Sequence, residues 1–387
     1  MSKLIIEIVK INSLKKHPNA DKLEIATIKG WECIVQKGKF TVNSLCIFVP
    51  PDSIIPINLI EKYKLEFLKK DGRVKTVKLR GVISEGLILD IPEGCKKREG
   101  LNVANLMGIT HWEQPEPKQS QHKKETYTDI LLDVINRKIS IKRFIFKTLG
   151  LIKDYFSPKK KTNPHFDKYT DIENIKNFPD VLLEGEEVVI TEKAHGSNIR
   201  FGNLKKKCSN IIDKIIQKRT GQFEFVYGSH NIQKRFTNLH NGYYKEDIWG
   251  KIVKKYDLEP LLPNHLIFYG EVIGKGVQDL TYGFEDIQLF IFDIKDTKTK
   301  TYYNHSQVIK ICNALKLPIV PLLYEGKYSK EIVNKYTEGN SVLCPSQIKE
   351  GCVIKPIQER YDHKLGRVIL KSISTNYLLR KNGTEFK

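Results

Sequence analysis

The chain has 387 residues, 40% of them hydrophobic and 28% charged, which is enough for two domains with packed interiors and too apolar for a disordered chain. Its 65 Lys and Arg against 45 Asp and Glu leave a formal net charge of +20. A surplus of that size favours a polyanionic partner, nucleic acid ahead of an anionic membrane surface, although a Lys-rich composition alone would also spread lysines in this way.

The chain opens MSKLIIEIVKINSLKK, whose apolar run is too short for a secretory signal, and no later stretch reaches bilayer-spanning length. An intracellular, soluble, cytoplasmic protein with no membrane partner is therefore expected. Over residues 1–105 short segments such as EIATIKG, ECIVQKG, SLCIFVP and EGLILDI are rich in β-branched residues and separated by Gly, Pro and Asp. That spacing predicts a small closed β-barrel. Residues 106–165 change character: HWEQPEPKQSQHKK reads as a linker, and the segment 128–149 predicts a helix in which Ile130, Leu131, Val134, Ile135 and Ile139 alternate with Arg137, Lys138 and Lys142. Such a basic amphipathic helix could face RNA, a membrane surface or a partner helix, or pack on the main domain with a solvated face.

From about residue 166 to 387, strand-like GEEVVITEK, EFVYGS, HLIFYGEVIG, IQLFIFDIK, CVIKPI and RVILKSI mix with helix-like IIDKIIQK, KEDIWGKIVKKY and SQVIKICNALK. Few strand pairs have the intervening helix a parallel sheet needs, so an α+β domain with antiparallel sheets is expected. The seven cysteines, Cys33, Cys46, Cys95, Cys208, Cys312, Cys344 and Cys352, include no CxxC pair. Neither a zinc site nor a redox pair is signalled, and the scatter suits a reducing compartment.

The sharpest feature is TEKAHGSN, Thr191 to Asn198, directly after an apolar strand. A lysine at a strand end can be desolvated and crowded by cations, which disfavours its ammonium and makes it a nucleophile. Gly196 would let the backbone approach a phosphate or base closely. By itself the segment is equally a Lys-Gly turn. An ordered series follows it, however: Gly270-Glu271, Phe292-Asp293, Glu350-Gly351 leading to Lys355, and Lys371, each at a strand or strand end. ATP chemistry needs these types: an aromatic face for adenine, a carboxylate for ribose, carboxylates for metal-bound water, and lysines for phosphate charge.

Residues from about Phe166 to Lys371 resemble the nucleotidyltransferase domain shared by ATP-dependent RNA ligases, DNA ligases and mRNA capping enzymes, and KxHGxN, with His195 where DNA ligases usually carry Asp, is similar to the RNA ligase branch. The resemblance implies that Lys193 attacks the α-phosphate of ATP and carries AMP, which passes to an RNA 5′-phosphate before a 3′-hydroxyl displaces it. It implies ATP with Mg2+ or Mn2+ as cofactors. Glu271 would hold the ribose, Phe292 would stack on adenine, Glu350 would organise metal-bound water and Lys371 would contact the α-phosphate. Glu192, His195, Asn198 and Lys355 would line the nucleotide and phosphate side. Asp293 is open between a metal contact and a buried structural carboxylate.

HPNADKLEIATIKGWECIV followed by PPDSIIP looks like an OB-type module of tRNA-binding proteins, and its position ahead of the nucleotidyltransferase domain is similar to one branch of RNA ligases. Lys15, Lys16, His17, Lys22, Trp31, Lys37, Lys39 and Arg73 are the candidate RNA contacts, with Trp31 equally a core residue. Two departures stand out. Lys371 lacks the second lysine two residues away that related ligases offer. The expected arginine after the nucleophile's following strand is absent, leaving His230 at that position or Arg219 earlier in the chain. The sequence thus predicts an α+β protein: an OB-like small β-barrel, a basic helical linker, and an antiparallel-sheet nucleotidyltransferase domain of ATP-grasp-like ligase type. Its partner would be RNA, as a nicked duplex or as broken single-stranded ends. The alternatives are an RNA-binding protein with a degenerate catalytic domain, or a DNA ligase or capping-type enzyme.

Overall fold

The computed structural model describes residues 5–112, 162–207, 217, 221–234 and 247–380; the expected helix at 128–149, Cys208 and Arg219 lie outside the described residues. In the N-terminal module, Glu7–Lys10, Leu45–Val49 and Leu87–Leu89 form one antiparallel sheet, and Ser13–Lys16, Leu23–Ile28 and Trp31–Gln36 form a meander. Trp31–Gln36 shows why period two makes a strand: Trp31, Cys33 and Val35 are buried while Glu32 and Gln36 are exposed. Ile8 and Val9, adjacent in sequence, enter two different cores, one with Ile47, Ile55 and Leu59, the other with Ile28, Trp31 and Phe48. The sheets curl around these cores without one continuous closed ladder among the described strands. Thr110–His111 pairs with Ser53–Ile54, so the module's chain continues to that point.

The second domain consists chiefly of two five-stranded sheets. The first runs in the order Glu173–Asn174, Leu370–Ile373, Gly351–Pro356, Glu187–Lys193, Leu322–Lys327. The second runs Gln233–Lys234, Phe223–Gly228, Ser197–Lys205, Leu266–Ile273, Gln288–Asp296. All these pairings are antiparallel except that of Glu173–Asn174 with Leu370–Ile373. The second sheet buries Ile199, Phe201, Phe268 and Leu289 under the helix Ile248–Lys255, which contributes Trp249, Ile252 and Val253, and under Val308 and Cys312 of His305–Ala314.

Between the strand ending at Lys193 and the one starting at Ser197 the chain passes from the first sheet to the second within three residues, Ala194, His195 and Gly196. The TEKAHGSN segment is therefore the hinge line of the cleft between the sheets. The two domains touch through Gly30-Trp31: Trp31 Nε1 donates to Asn177 Oδ1 at 3.0 Å, and Lys176 Nζ reaches both Glu85 oxygens at 2.6 Å. A Cβ on Gly30 would sit 3.2 Å from Lys176 Cα, so glycine permits this approach. Trp31, 5% exposed, belongs to this contact and to the core, and offers no stacking platform to a base.

Candidate active site

Lys193 pairs in register with Gly351, which sets Lys193 Nζ 2.5 Å from Glu350 Oε1. Gly351 has φ +151°, and a Cβ there would lie 2.1 Å from Ser372 O, so Glu350-Gly351 is dictated by the neighbouring strand's closeness as well as by chemistry. On that neighbour sits Lys371, opposite Val353. Burial, and after it the charge on Lys193, pushes the Lys371 ammonium below its usual range. Two crowded lysines beside one carboxylate form a place where an incoming anion is stabilised.

A pocket of about 170 Å³ opens on one side of Lys193, lined among others by Tyr169, Asn198, Glu271, Phe292, Val353 and Ile369. Phe292 is braced by Tyr169, ring edge to face at 4.8 Å, and presents a flat apolar wall. Asn198 and Glu271 are cross-strand partners, and Trp249 Nε1 donates to Asn198 O. Burial pushes the Glu271 carboxyl up to about 8, partly offset by Lys193 and assisted by Glu350. At neutral pH it is a protonated acid, able to donate and accept.

His195 is held on both ring nitrogens: Nε2 lies 2.8 Å from Asp279 Oδ1 and Nδ1 2.9 Å from the Tyr377 hydroxyl. The carboxylate fixes the tautomer with hydrogen on Nε2, so the tyrosine donates to Nδ1. The backbone N–H of His195 donates to Tyr282 Oη, and Asp279 is itself paired with Arg380 at 2.8 Å. Nothing in the sequence points to Asp279, Tyr282, Tyr377 or Arg380, because each lies on a turn or short helix with no periodic or motif signal. Glu192 directs its carboxylate to the Val342 amide at 2.8 Å, tying the 339–348 loop to the nucleophile's strand.

Two expected contacts do not join this site. Asp293 is fully buried, with Oδ2 held by Arg367 at 2.5 Å and the Tyr169 hydroxyl at 2.8 Å, and Oδ1 by Lys355 at 3.3 Å. Burial opposes its ionisation, but Arg367 and Lys355 outweigh that and hold the carboxyl below the usual range. Its oxygens are committed to cations of the protein, so Asp293 is a structural anchor and no metal ligand. Lys355 lines the pocket from behind with its charge shared between Asp293 and Glu359. Arg367, pinned by the same two carboxylates, does not replace the missing second lysine. His230 lies at the far end of Phe223–Gly228, 3.9 Å from Asp171, and does not line the pockets that meet at Lys193.

On its other side Lys193 opens into a cleft of about 390 Å³ between the domains. Glu350, Lys371 and Tyr377 line it from one domain, and Asp52, Arg73 and Trp112 from the other. Arg73 stacks 3.3 Å from the Trp112 ring centre and bonds Asp52 at 2.7 Å. Asn198 Oδ1 and Glu350 Oε2 are buried without a hydrogen-bond partner. Such orphaned acceptors suit a bound group that brings donors or a hydrated cation. No cluster of three or more His, Cys, Asp or Glu fit to hold a metal occurs among the described residues, so a cation here would keep most of its waters, as Mg2+ commonly does.

Residues 186–373 match the RNA ligase family, and residues 5–91 match an OB-fold domain family. The chain carries an RNA ligase domain behind an OB-fold module. The RNA ligase of Naegleria gruberi solved with PPi superposes with TM-score 0.69 at 20% identity, over 97% of this chain and 98% of that one. A mutant of the same protein solved with ATP and Mn gives 0.69 at 19%, with the same coverage. The shared fold thus includes the domain order. By sequence, the phenylalanine–tRNA ligase beta subunit of Leptospira interrogans is 24% identical over 61% of this chain, and the match spans only 29% of that subunit. No helix among the described residues is long and apolar enough to cross a membrane.

In the RNA ligase domain two changes have calculable consequences. A Cβ on Gly196 would lie 2.2 Å from Val272 O and 2.7 Å from Ile273 Cγ2. Gly196→Ala is expected to lift the turn off Leu266–Ile273, costing roughly 1–3 kcal/mol and lowering label transfer to Lys193 about 100-fold through misplacement. A thermal melt and an ATP-labelling assay at wild-type values would show instead that the turn yields freely. Glu271→Gln addresses pH. Because the folded carboxyl titrates near 8 and the unfolded one near 4.5, the folded state holds the extra proton between them. Stability therefore falls as pH rises through that window, by up to about 1.4 kcal/mol per unit and less where pocket water reaches the group. The glutamine variant is expected to gain Tm relative to wild type from pH 5 to 8; parallel Tm curves would remove the shifted carboxyl.

Proposed function

We propose that this chain is an ATP-dependent RNA ligase that joins a 3′-hydroxyl to a 5′-phosphate through AMP carried on Lys193. The observation that carries this reading is the position of Lys193, whose ammonium stands between a nucleoside-sized pocket and a cleft wide enough for phosphates, with Glu350 and Lys371 beside it.

In the first step Lys193 loses its proton, for which Glu350 Oε1 is the adjacent acceptor, and Nζ attacks the α-phosphorus of ATP. The P–N bond forms, the bond to the β-phosphate oxygen breaks, and pyrophosphate leaves towards the interdomain cleft. Phe292 stacks on the adenine, Glu271 hydrogen-bonds ribose hydroxyls, and Lys371 neutralises charge on the α-phosphate. His195, locked by Asp279 and Tyr377, lines the phosphate side with Asn198. Next, an oxygen of the RNA 5′-phosphate attacks the AMP phosphorus and the P–N bond breaks. Last, the 3′-oxygen attacks the 5′-phosphate phosphorus and AMP departs. Mg2+ or Mn2+, held through water by Glu350, would supply charge stabilisation for the phosphates.

A nicked duplex and a broken single-stranded loop both present the required ends, and the proposed role is RNA repair. The competing reading is an RNA-binding protein with a degenerate catalytic domain, favoured by the solitary Lys371. Incubation with α-labelled ATP and Mn2+ tests the two: label that survives denaturation, with pyrophosphate released, supports the ligase. Unlabelled, folded protein overturns it in favour of the binding protein.

A further inference from the structure

The short helix Thr375–Leu378 lies beyond the last nucleotide motif, yet two motif residues are tied to it. Its N-cap, the fully buried Ser374, accepts from the Tyr377 amide and sends its own amide to Glu350 O at 2.9 Å. Glu338 fastens the same turn, accepting from the Ser374 hydroxyl at 2.8 Å and from the Thr375 amide at 2.7 Å. Tyr377 then sends its hydroxyl to His195 Nδ1. Arg380 closes a ring of side chains. Its guanidinium lies 3.6 Å from the Tyr377 ring centre, donates to Tyr377 O at 2.8 Å, and grips both oxygens of Asp279 at 2.8 and 3.2 Å. Asp279 Oδ1 in turn takes the hydrogen of His195 Nε2.

What this ring controls is one buried oxygen. Glu350 Oε2, which has no hydrogen-bond partner, stands 3.9 Å from His195 Nδ1. With the hydrogen on Nε2, Nδ1 is an acceptor facing another acceptor, so the two do not bond and Glu350 Oε2 stays open to a group entering the site. With the hydrogen on Nδ1, the ring would be a donor beside the same oxygen, and a shift of about 1 Å would bring the two into bonding reach. The choice rests with Asp279. An ionised carboxylate only accepts, so it places the hydrogen on Nε2, and Arg380, a donor at every nitrogen, fixes which way that carboxylate faces.

Resting on the ligase reading, we infer that Asp279 and Arg380 are positioning residues for the reaction at Lys193. They set the tautomer of His195 and thereby keep Glu350 Oε2 free for the phosphates and the hydrated cation that accompanies them. Neither lines the nucleotide pocket or the interdomain cleft, so both act through the histidine.

The test compares the full-length wild type with Asp279→Asn and Asp279→Ala. Asparagine keeps the shape and, with its oxygen taken by Arg380, turns its amide hydrogens to His195 Nε2, which drives the ring hydrogen to Nδ1. Alanine offers Nε2 no donor and lets Tyr377 go on donating to Nδ1, but it leaves Arg380 without its carboxylate. Heteronuclear NMR of the ring nitrogens, with His195 identified by the signals lost in His195→Gln, should show hydrogen on Nε2 in wild type and the alanine variant, and on Nδ1 in the asparagine variant. Labelling of Lys193 at saturating ATP should fall on the order of 10- to 100-fold in the asparagine variant, and less in the alanine variant, with KM for ATP unchanged. Tm should fall further in the alanine variant, which strands a cation. Labelling losses that follow the losses in Tm would make the ring a scaffold only and overturn the inference. So would hydrogen on Nδ1 in the wild type, an asparagine variant that keeps it on Nε2, or full labelling with the hydrogen moved to Nδ1. Failure of the wild type to take label would remove the ligase reading separately, since the NMR measurement requires no catalysis.

Discussion

Lys193→Ala is expected to abolish formation of the denaturation-resistant adenylate, by on the order of 1000-fold or more, while leaving sealing of a chemically pre-adenylylated 5′ end partly intact. The asymmetry follows from position. In the proposed mechanism Lys193 Nζ supplies the nucleophile only for its own adenylate. Glu350, Lys371 and Asn198 stand around the same place, and in that mechanism they remain to serve the phosphate in the later steps. Alanine also frees Glu350 from its 2.5 Å partner, so Lys193→Met, which keeps the stem, should be made in parallel. Adenylate formed by either variant would mean that another group is the nucleophile. Loss of both activities together would make Lys193 a part of the sealing machinery as well.

The second large effect is one of stability. Asp293→Ala removes the central anion of a buried set comprising Arg367, Lys355 and Glu359 and leaves two cations with one carboxylate between them. Breaking a buried pair in this way costs roughly 3–5 kcal/mol, because the remaining charge keeps its desolvation penalty. For a domain of this size that lowers Tm by on the order of 10 °C. The Mn2+ dependence of labelling in the surviving folded protein should be unchanged. A metal ligand would behave in the opposite way, with little change in Tm and a large shift in the Mn2+ requirement. Asp293→Ala combined with Arg367→Met should recover part of the stability, since the uncompensated charge leaves with the arginine.

The strands that carry the nucleotide motifs are legible because their patterns are local. Glu187–Lys193 is buried along its middle on both faces and carries the apolar run Val188–Ile190, and Leu266–Ile273 carries Leu266–Tyr269 ahead of Gly270-Glu271. Ser197–Lys205 is not legible as a strand, since Arg200, Gly202 and Asn203 look like loop residues. Its Ile199, Phe201 and Leu204 are nevertheless fully buried, and Arg200 is satisfied by the carbonyls of Ser229 and Phe166. What offsets the cost of a buried arginine lies on distant segments, beyond any local pattern.

The sequence by itself determined the class of fold and the side chains that meet at Lys193. Motif residues at strand ends are fixed by short-range pattern, and cross-strand register then brings Glu350, Glu271, Asn198 and Lys371 together. Which carboxylate keeps an oxygen available and which is committed to partners within the protein was decided only by the tertiary structure. Glu350 and Asp293 look alike in sequence, but one keeps a free buried oxygen beside a lysine and the other commits both oxygens to Arg367, Tyr169 and Lys355. The same holds for His195, whose tautomer depends on Asp279 and Tyr377, 84 and 182 residues away. Ionisation and hydrogen-bond supply depend on everything within a few ångströms, and in a folded chain those neighbours come from anywhere in the sequence.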